Sequence, residues 1–252
     1  MSDAKALFQP LEPAPAYKRL CQAIETKIMA GRLKPGDLLP TETALAEAFA
    51  LNRSTVREGI RLLEQSGLAE RIAGRRLAVA HPSTKALGQR LSQALVLHDV
   101  TFRELWQTIA ALEPAAAAYA AKARNESDLE AIRQNLKESE AARGDTRRLS
   151  ALDVSFHELV AKAAHNRALL LAREAVGQLF YPAFAVVVTR LDTAAERLLT
   201  AHRAIAEAIE RQDEEEARRW MVRHIDDFHR GYCMVGLDPD APIDRMGENS
   251  SG

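Results

Sequence analysis

The sequence predicts a mainly α protein: three helices and a β-hairpin at the N-terminus, followed by an all-α antiparallel helical bundle. Three observations predict this. Apolar residues recur at steps of three and four along most of the chain. Alanine is abundant and aromatics make up only 5%, which favours helices over sheets. Strand-like runs around a turn stand out in one segment, "LAERIAGRRLAVA" at 68–80.

The elements follow in order. Residues 1–14 are rich in Pro and Ala without a period and read as a flexible arm. From Tyr17, the spacing of Leu20, Ala23, Ile24 and Ile28 predicts a helix that Gly31 ends. A Pro35-Gly36 turn leads to Thr41, an N-cap with Glu42 in the first turn behind it. Leu45, Ala46 and Phe49 give this short second helix its buried face. The chain breaks at Ala50–Leu51, Asn52 caps a third helix reaching about Ser66, and Gly67 closes it. The hairpin turns at Ala73–Gly74. This first domain spans 15–80, and "HPSTKA" at 81–86 reads as a linker.

The second domain is placed at 87–233. Leu105, Ile109, Leu112, Ala116 and Tyr119 form a bundle-facing stripe. Helical patterns recur near 127–142, 148–164, 168–188 (with a kink expected at Pro182), 194–211 and 213–231. Short connections favour antiparallel neighbours. Residues 234–252 read as a polar, flexible tail.

The net charge of −1 hides an asymmetry. Residues 1–82 carry 12 Lys/Arg against 9 Asp/Glu, and the remainder is acidic on balance. No run approaches the roughly 18 apolar residues of a membrane helix, so no membrane association is expected. Cys21 and Cys233 are too few and too distant for a disulfide framework, and a reducing cytoplasm is the expected location.

Where does the basic excess point? "LNRSTVREGI" at 51–60 puts Arg53, Ser54, Thr55 and Arg57 at the start of the third helix, with Val56, Ile60 and Leu63 on the opposite face. Two short helices joined by a tight turn, the second opening on this cluster, suit a helix-turn-helix whose recognition helix enters the major groove of double-stranded DNA. Arg53 and Arg57, four apart, share one face and can take guanine bidentately. Ser54 and Thr55 can reach phosphates or bases, and the tip Gly74-Arg75-Arg76 would serve as a wing. Taken alone, a charged helix start is an ordinary solvated face; the ordered set of caps, cluster and basic hairpin is far more specific.

Residues 17–80 resemble the winged helix of GntR-family bacterial transcription regulators, through "IMAGRLKPGDLLPTETALAEAFALNRSTVREGIRLLEQSGLAER". The resemblance implies operator contacts from Arg53, Arg57 and the Gly74 wing, with Thr41 and Thr43 at the start of the second helix beside them. The family's usual arginine at the latter position is Thr43 here, and Arg75-Arg76-Leu77 follow Gly74 where the usual wing reads glycine-x-glycine-threonine.

In the second domain, Asp153 and His157 lie one helical turn apart, and His202 and His224 each sit on an apolar stripe. One carboxylate and three neutral imidazoles facing a bundle interior can bind Zn²⁺, Ni²⁺, Fe²⁺ or Mn²⁺, although a lone histidine on an apolar face is more often a core residue. Residues 87–232 resemble the helical effector (FCD-like) domain of the FadR-type subgroup, through "LWQTIAALEPAAAAYAA", "LDVSFHELVAKAAHN" and "AHRAIAEAIERQDEEEARRWMVRHI". The resemblance implies a divalent metal ion held by Asp153, His157, His202 and His224. The subgroup commonly has an arginine four residues before Glu113; here it is Ile109, which leaves Arg103 and Arg190 as candidate clamps for a carboxylate effector.

The expected function is therefore a homodimeric DNA-binding regulator, a repressor by family habit, whose operator binding a small organic acid modulates at a metal site. Two alternatives stand beside it: a helical domain that only dimerises the chain around a structural metal, and a metalloenzyme-like module. No Ser/His/Asp or Cys/His nucleophile set and no Gly-rich phosphate loop supports an enzyme.

Overall fold

A computed structural model describes residues 14–72 and 76–243. The chain forms two compact units that divide between Ser83 and Thr84.

The first unit contains helices α1 (Ala16–Met29), α2 (Glu42–Phe49) and α3 (Arg53–Gln65), then strands β1 (Ala69–Ile72) and β2 (Arg76–Val79). The caps lie where the side-chain chemistry places them. Thr41 accepts from the Ala44 amide at 3.2 Å, and Asn52 Oδ1 accepts from the Thr55 amide at 2.8 Å. Between α2 and α3, Ala50 adopts a left-handed conformation at φ 50°, so the turn forms without glycine. Gly67, at φ +76°, releases the chain from α3 into the antiparallel hairpin, in which Ala69 pairs with Val79 and Ile72 with Arg76. Leu20, Ile24, Leu45, Val56, Ile60 and Leu63 form the core. Gly59 allows α3 to approach α1: a Cβ there would meet Leu20 Cδ2 at 2.6 Å and the Tyr17 carbonyl at 3.0 Å. Residues 1–13 of the arm expected at 1–14, and the wing-tip residues Gly74 and Arg75, lie outside the described residues.

The second unit is helical: α4 (Thr84–Leu97), α5 (Phe102–Ala123), α6 (Glu126–Ala141), α7 (Thr146–Ala163), α8 (Arg167–Phe180), α9 (Phe184–Arg190), α10 (Ala194–Glu210) and α11 (Glu214–Met234). Thr84, Lys85 and Ala86, expected in the linker, instead begin α4. Where a kink within one helix was expected at Pro182, a 3-10 turn at Tyr181–Ala183 divides the segment into α8 and α9. By length and composition the stretch Arg167–Arg190 could cross a membrane, but Phe180, Tyr181, Phe184 and Val187 within it are buried in the bundle core.

Two corrections concern helix surfaces and the tail. Leu105, Ile109 and Ala116 of the predicted stripe are buried, whereas Tyr119 is 42% exposed; three steps past Ala116, it has rotated off the core-facing side. Residues 235–243 are not a loose tail. They return across the start of α5, where Asp240 pairs with Arg103 at 2.6 Å, the Ile243 amide donates to the Val100 carbonyl at 3.1 Å, and the Ile243 side chain is buried. An apolar residue well beyond the last helical pattern, at 213–231, carried no signal of that docking. Residues 244–252 lie outside the described residues.

Candidate metal centre and nucleic-acid interface

In the first unit, the capped start of α3 leaves Arg53, Ser54 and Arg57 exposed and Thr55 half-buried. The apolar face of the same helix is buried against the core, which fixes the direction in which the polar cluster points. Ser54 Oγ donates to Asn52 Oδ1 at 2.7 Å and so supports the cap. Arg57 donates to Glu42 Oε2 at 3.1 Å yet remains 66% exposed along its side chain. Arg53 lines a cavity of about 450 Å³ with Thr41, Thr43, Arg71 and Arg76. Arg71 was not singled out from the sequence. It sits on β1 and is held there by Glu64 at 3.0 Å and Glu42 at 3.7 Å. Glu42 thus orders cations from two elements, and it lines one groove with Thr41, Thr43, Arg53, Arg71 and Arg76.

In the second unit, α7 carries Asp153 and His157, α10 carries His202 and α11 carries His224. All four are buried, and one ligand atom from each lies within 4.8 Å of every other. Asp153 Oδ1 is 3.3 Å from His202 Nε2, 3.7 Å from His157 Nε2 and 4.0 Å from His224 Nε2. His224 Nε2 is 3.1 Å from His157 Nε2 and 3.3 Å from His202 Nε2. Atoms about 2 Å from one ion lie roughly 3–4 Å from each other, so this set fits a single divalent cation. The decisive atom is Asp153 Oδ1, a buried carboxylate oxygen with no hydrogen-bond partner among the described residues. A protein rarely buries such an oxygen without a proton, a donor or a metal.

The surroundings prepare the imidazoles as ligands. His157 Nδ1 donates to Glu113 Oε2 at 3.0 Å, which leaves its Nε2 lone pair facing the cluster. Burial, followed by the neighbouring imidazoles, pushes His224 well below the ordinary histidine range; burial and then His157 do the same to His202. Both are therefore neutral, as a metal requires. Burial raises the Asp153 carboxyl, with His157 and His224 opposing that rise.

Glu113 was missed as a site residue, and so was its partner. Arg173, on α8, donates from Nε to Glu113 Oε1 at 2.6 Å, and both side chains are almost wholly buried. Burial alone would raise the Glu113 carboxyl; Arg173 first, then His157, outweigh it and hold it at about 2. The Arg173 guanidinium also lies 5.6 Å from the centre of the Tyr181 ring, which stacks on His157 at 4.3 Å. Burial, and then the Glu113 charge, push the Tyr181 hydroxyl well above the ordinary tyrosine range, with Arg173 opposing them.

Neither arginine suggested as a carboxylate clamp is brought to the cluster. Arg103 holds Asp240 of the C-terminal segment, and Arg190 donates to the Val235 carbonyl at 3.3 Å. Ile109 is fully buried among apolar residues. His165 pairs with Asp128 at 2.8 Å on the surface, and His229 stacks on Trp106 at 4.3 Å, so neither joins the cluster.

A winged helix whose groove carries three arginines, followed by a helical unit built around a ligand-like polar cluster, defines a DNA-binding transcription regulator with a second, helical domain. The chain belongs to the GntR family: residues 16–79 match the model of the bacterial regulatory proteins of the gntR family, and residues 104–227 match that of the FCD domain. It is 31% identical over 212 residues to the HTH-type transcriptional regulator LutR of Bacillus subtilis (strain 168), covering 81% of this chain and 97% of the relative. The galactonate operon transcriptional repressor of Escherichia coli (strain K12) is 28% identical over 205 residues, covering 80% of this chain and 90% of its own. Among solved structures, the Streptococcus agalactiae GntR superposes with a TM-score of 0.63 at 25% identity, over 85% of this chain and 99% of that one. These relatives are transcriptional regulators, not enzymes.

Proposed function

We propose that the protein is a repressor that binds a pseudo-palindromic operator as a homodimer and releases it when a small organic acid occupies the metal centre. The observation that carries the sensory part is the convergence of Asp153, His157, His202 and His224 around one buried carboxylate oxygen that has no hydrogen-bond partner among the described residues. Asp153 and the three imidazoles would hold a divalent ion, whose charge and open coordination positions would border the space the acid enters. Glu113 fixes the tautomer of His157, and Arg173 neutralises Glu113. The name of the galactonate relative is in keeping with an organic acid as effector.

Arg53 reads a base in this proposal. Arg53→Ala is expected to weaken operator binding by about 1–3 kcal/mol and relax preference at one position, while leaving binding to random DNA nearly unchanged. Titrations against an operator set with single-base changes check this. Equal weakening on random DNA would make Arg53 a phosphate contact.

The whole reading is tested by operator binding followed by fluorescence anisotropy, with and without candidate organic acids, in metal-loaded and chelator-treated protein. Coupling of the usual size would weaken binding about 5–150-fold in the loaded protein and leave the chelated protein unaffected. A full response after chelation contradicts the metal dependence. No response to any acid favours a scaffold in which the metal serves only the fold.

A further inference from the structure

The four ligand groups are unequally enclosed. Asp153, His157 and His202 are sealed, and His224 alone borders open space, at a cleft of about 510 Å³ between α10 and α11. A smaller, mostly apolar space of about 20 Å³, sized for one water or a methyl group, lies on the other side, bounded by Phe184, Val187, Leu198 and Phe228. Arg197, His224 and Asp227 line both spaces. The ion pair between Arg197 of α10 and Asp227 of α11 therefore forms, with His224, the wall that separates them.

That wall is built to exchange partners. The two side chains are only partly buried, and ion pairs of this kind are weak. Asp227 has a second cation, Arg230 at 3.1 Å, so it keeps a partner if Arg197 leaves. Around the cleft, Glu196 is already engaged by Arg143 and Arg203. Arg223 stacks over the Trp220 indole at 5.2 Å and has no carboxylate partner among the described residues. The cleft thus favours an anion.

We propose that Arg197 is the carboxylate receptor of the effector site and that Asp227 is its built-in competitor. An incoming monocarboxylate takes the place of Asp227 on Arg197, the two spaces join, and the short alkyl end of the acid enters the apolar space beside His224. That space limits the end to one or two carbons, which makes length a determinant of specificity. The assignment rests on the reading of this unit as an organic-acid sensor.

The test is calorimetric titration of the zinc-loaded, full-length protein with propionate, hexanoate and the neutral amide propionamide, together with elemental analysis. Propionate is expected to bind, hexanoate to bind at least tenfold more weakly, and propionamide not at all. Arg197→Met should weaken propionate about tenfold or more, whereas Asp227→Asn should tighten it severalfold, both with wild-type zinc content. Opposite signs are the signature, since a pair needed only for packing would make both variants worse. Propionate binding to the wild type that Arg197→Met leaves unaltered, or that Asp227→Asn weakens as much as Arg197→Met does, overturns the exchange and leaves the sensor reading standing. Failure of the wild type to bind propionate overturns the assignment of Arg197, whereas the sensor reading falls only if no organic acid weakens operator binding.

Discussion

Arg173→Met is expected to destabilise the helical unit by about 3–5 kcal/mol, the usual cost of stranding one partner of a buried ion pair. The geometry leaves Glu113 no alternative. Its carboxylate is completely buried, one oxygen is held by Arg173 at 2.6 Å and the other by the Nδ1–H of His157 at 3.0 Å. Without the guanidinium, a wholly buried carboxylate loses the cation that balances its charge and keeps the His157 contact on its other oxygen. Denaturant unfolding of the metal-free protein, followed by helicity, measures the loss as a lowered midpoint at an unchanged slope. The double variant Arg173→Met with Glu113→Gln separates charge from packing: it should recover a large part of the loss, because the amide needs no counter-ion. An unchanged midpoint in the single variant would mean that water already solvates Glu113.

This pair also marks where reading the sequence runs out. Local chemistry was legible. Thr41 and Asn52 cap because their side chains reach amides three residues on, and Pro182 breaks a helix because of its ring, whatever surrounds it. The four ligand-like residues were legible too, since a charged or titratable group on an apolar stripe is a local contradiction that invites a partner. Glu113 and Arg173 are sixty positions apart, and each alone resembles an ordinary surface residue of a helix. Only the packing of α5 against α8 brings them together. The Asp240 contact with Arg103, over an even longer separation, hid the docking of residues 235–243 in the same way. Arg71 was passed over because a lone arginine in a four-residue strand has no period to set it apart. What the sequence hides in each case is a pairing between distant positions.

Divalent metal at about a thousand times its dissociation constant is expected to stabilise the protein by about 4 kcal/mol, and a chelator should remove that stabilisation entirely. In a helical unit of this size the melting temperature should rise by roughly 8–16 °C, at about 2–4 °C per kcal/mol. The gain has a specific origin. Without an ion, the protein buries Asp153 Oδ1 with no hydrogen-bond partner among the described residues and holds the His224 Nε2 3.1 and 3.3 Å from those of His157 and His202, a polar cluster that costs folding free energy to bury. A cation converts those liabilities into bonds at no further cost in backbone order, because α7, α10 and α11 are already fixed by the core. His202→Ala should erase the difference between loaded and chelated melting temperatures and reduce bound metal to background in elemental analysis. Since His202 also stacks on Phe156 at 3.7 Å, its removal lowers the metal-free stability as well. Asp153→Asn, nearly equal in volume, is therefore the cleaner variant: it should keep the fold and lose most of the metal-dependent shift. Full metal content and an undiminished shift in both variants would place the ion elsewhere, and the polar cluster would then need another reason to leave a buried carboxylate oxygen unpaired.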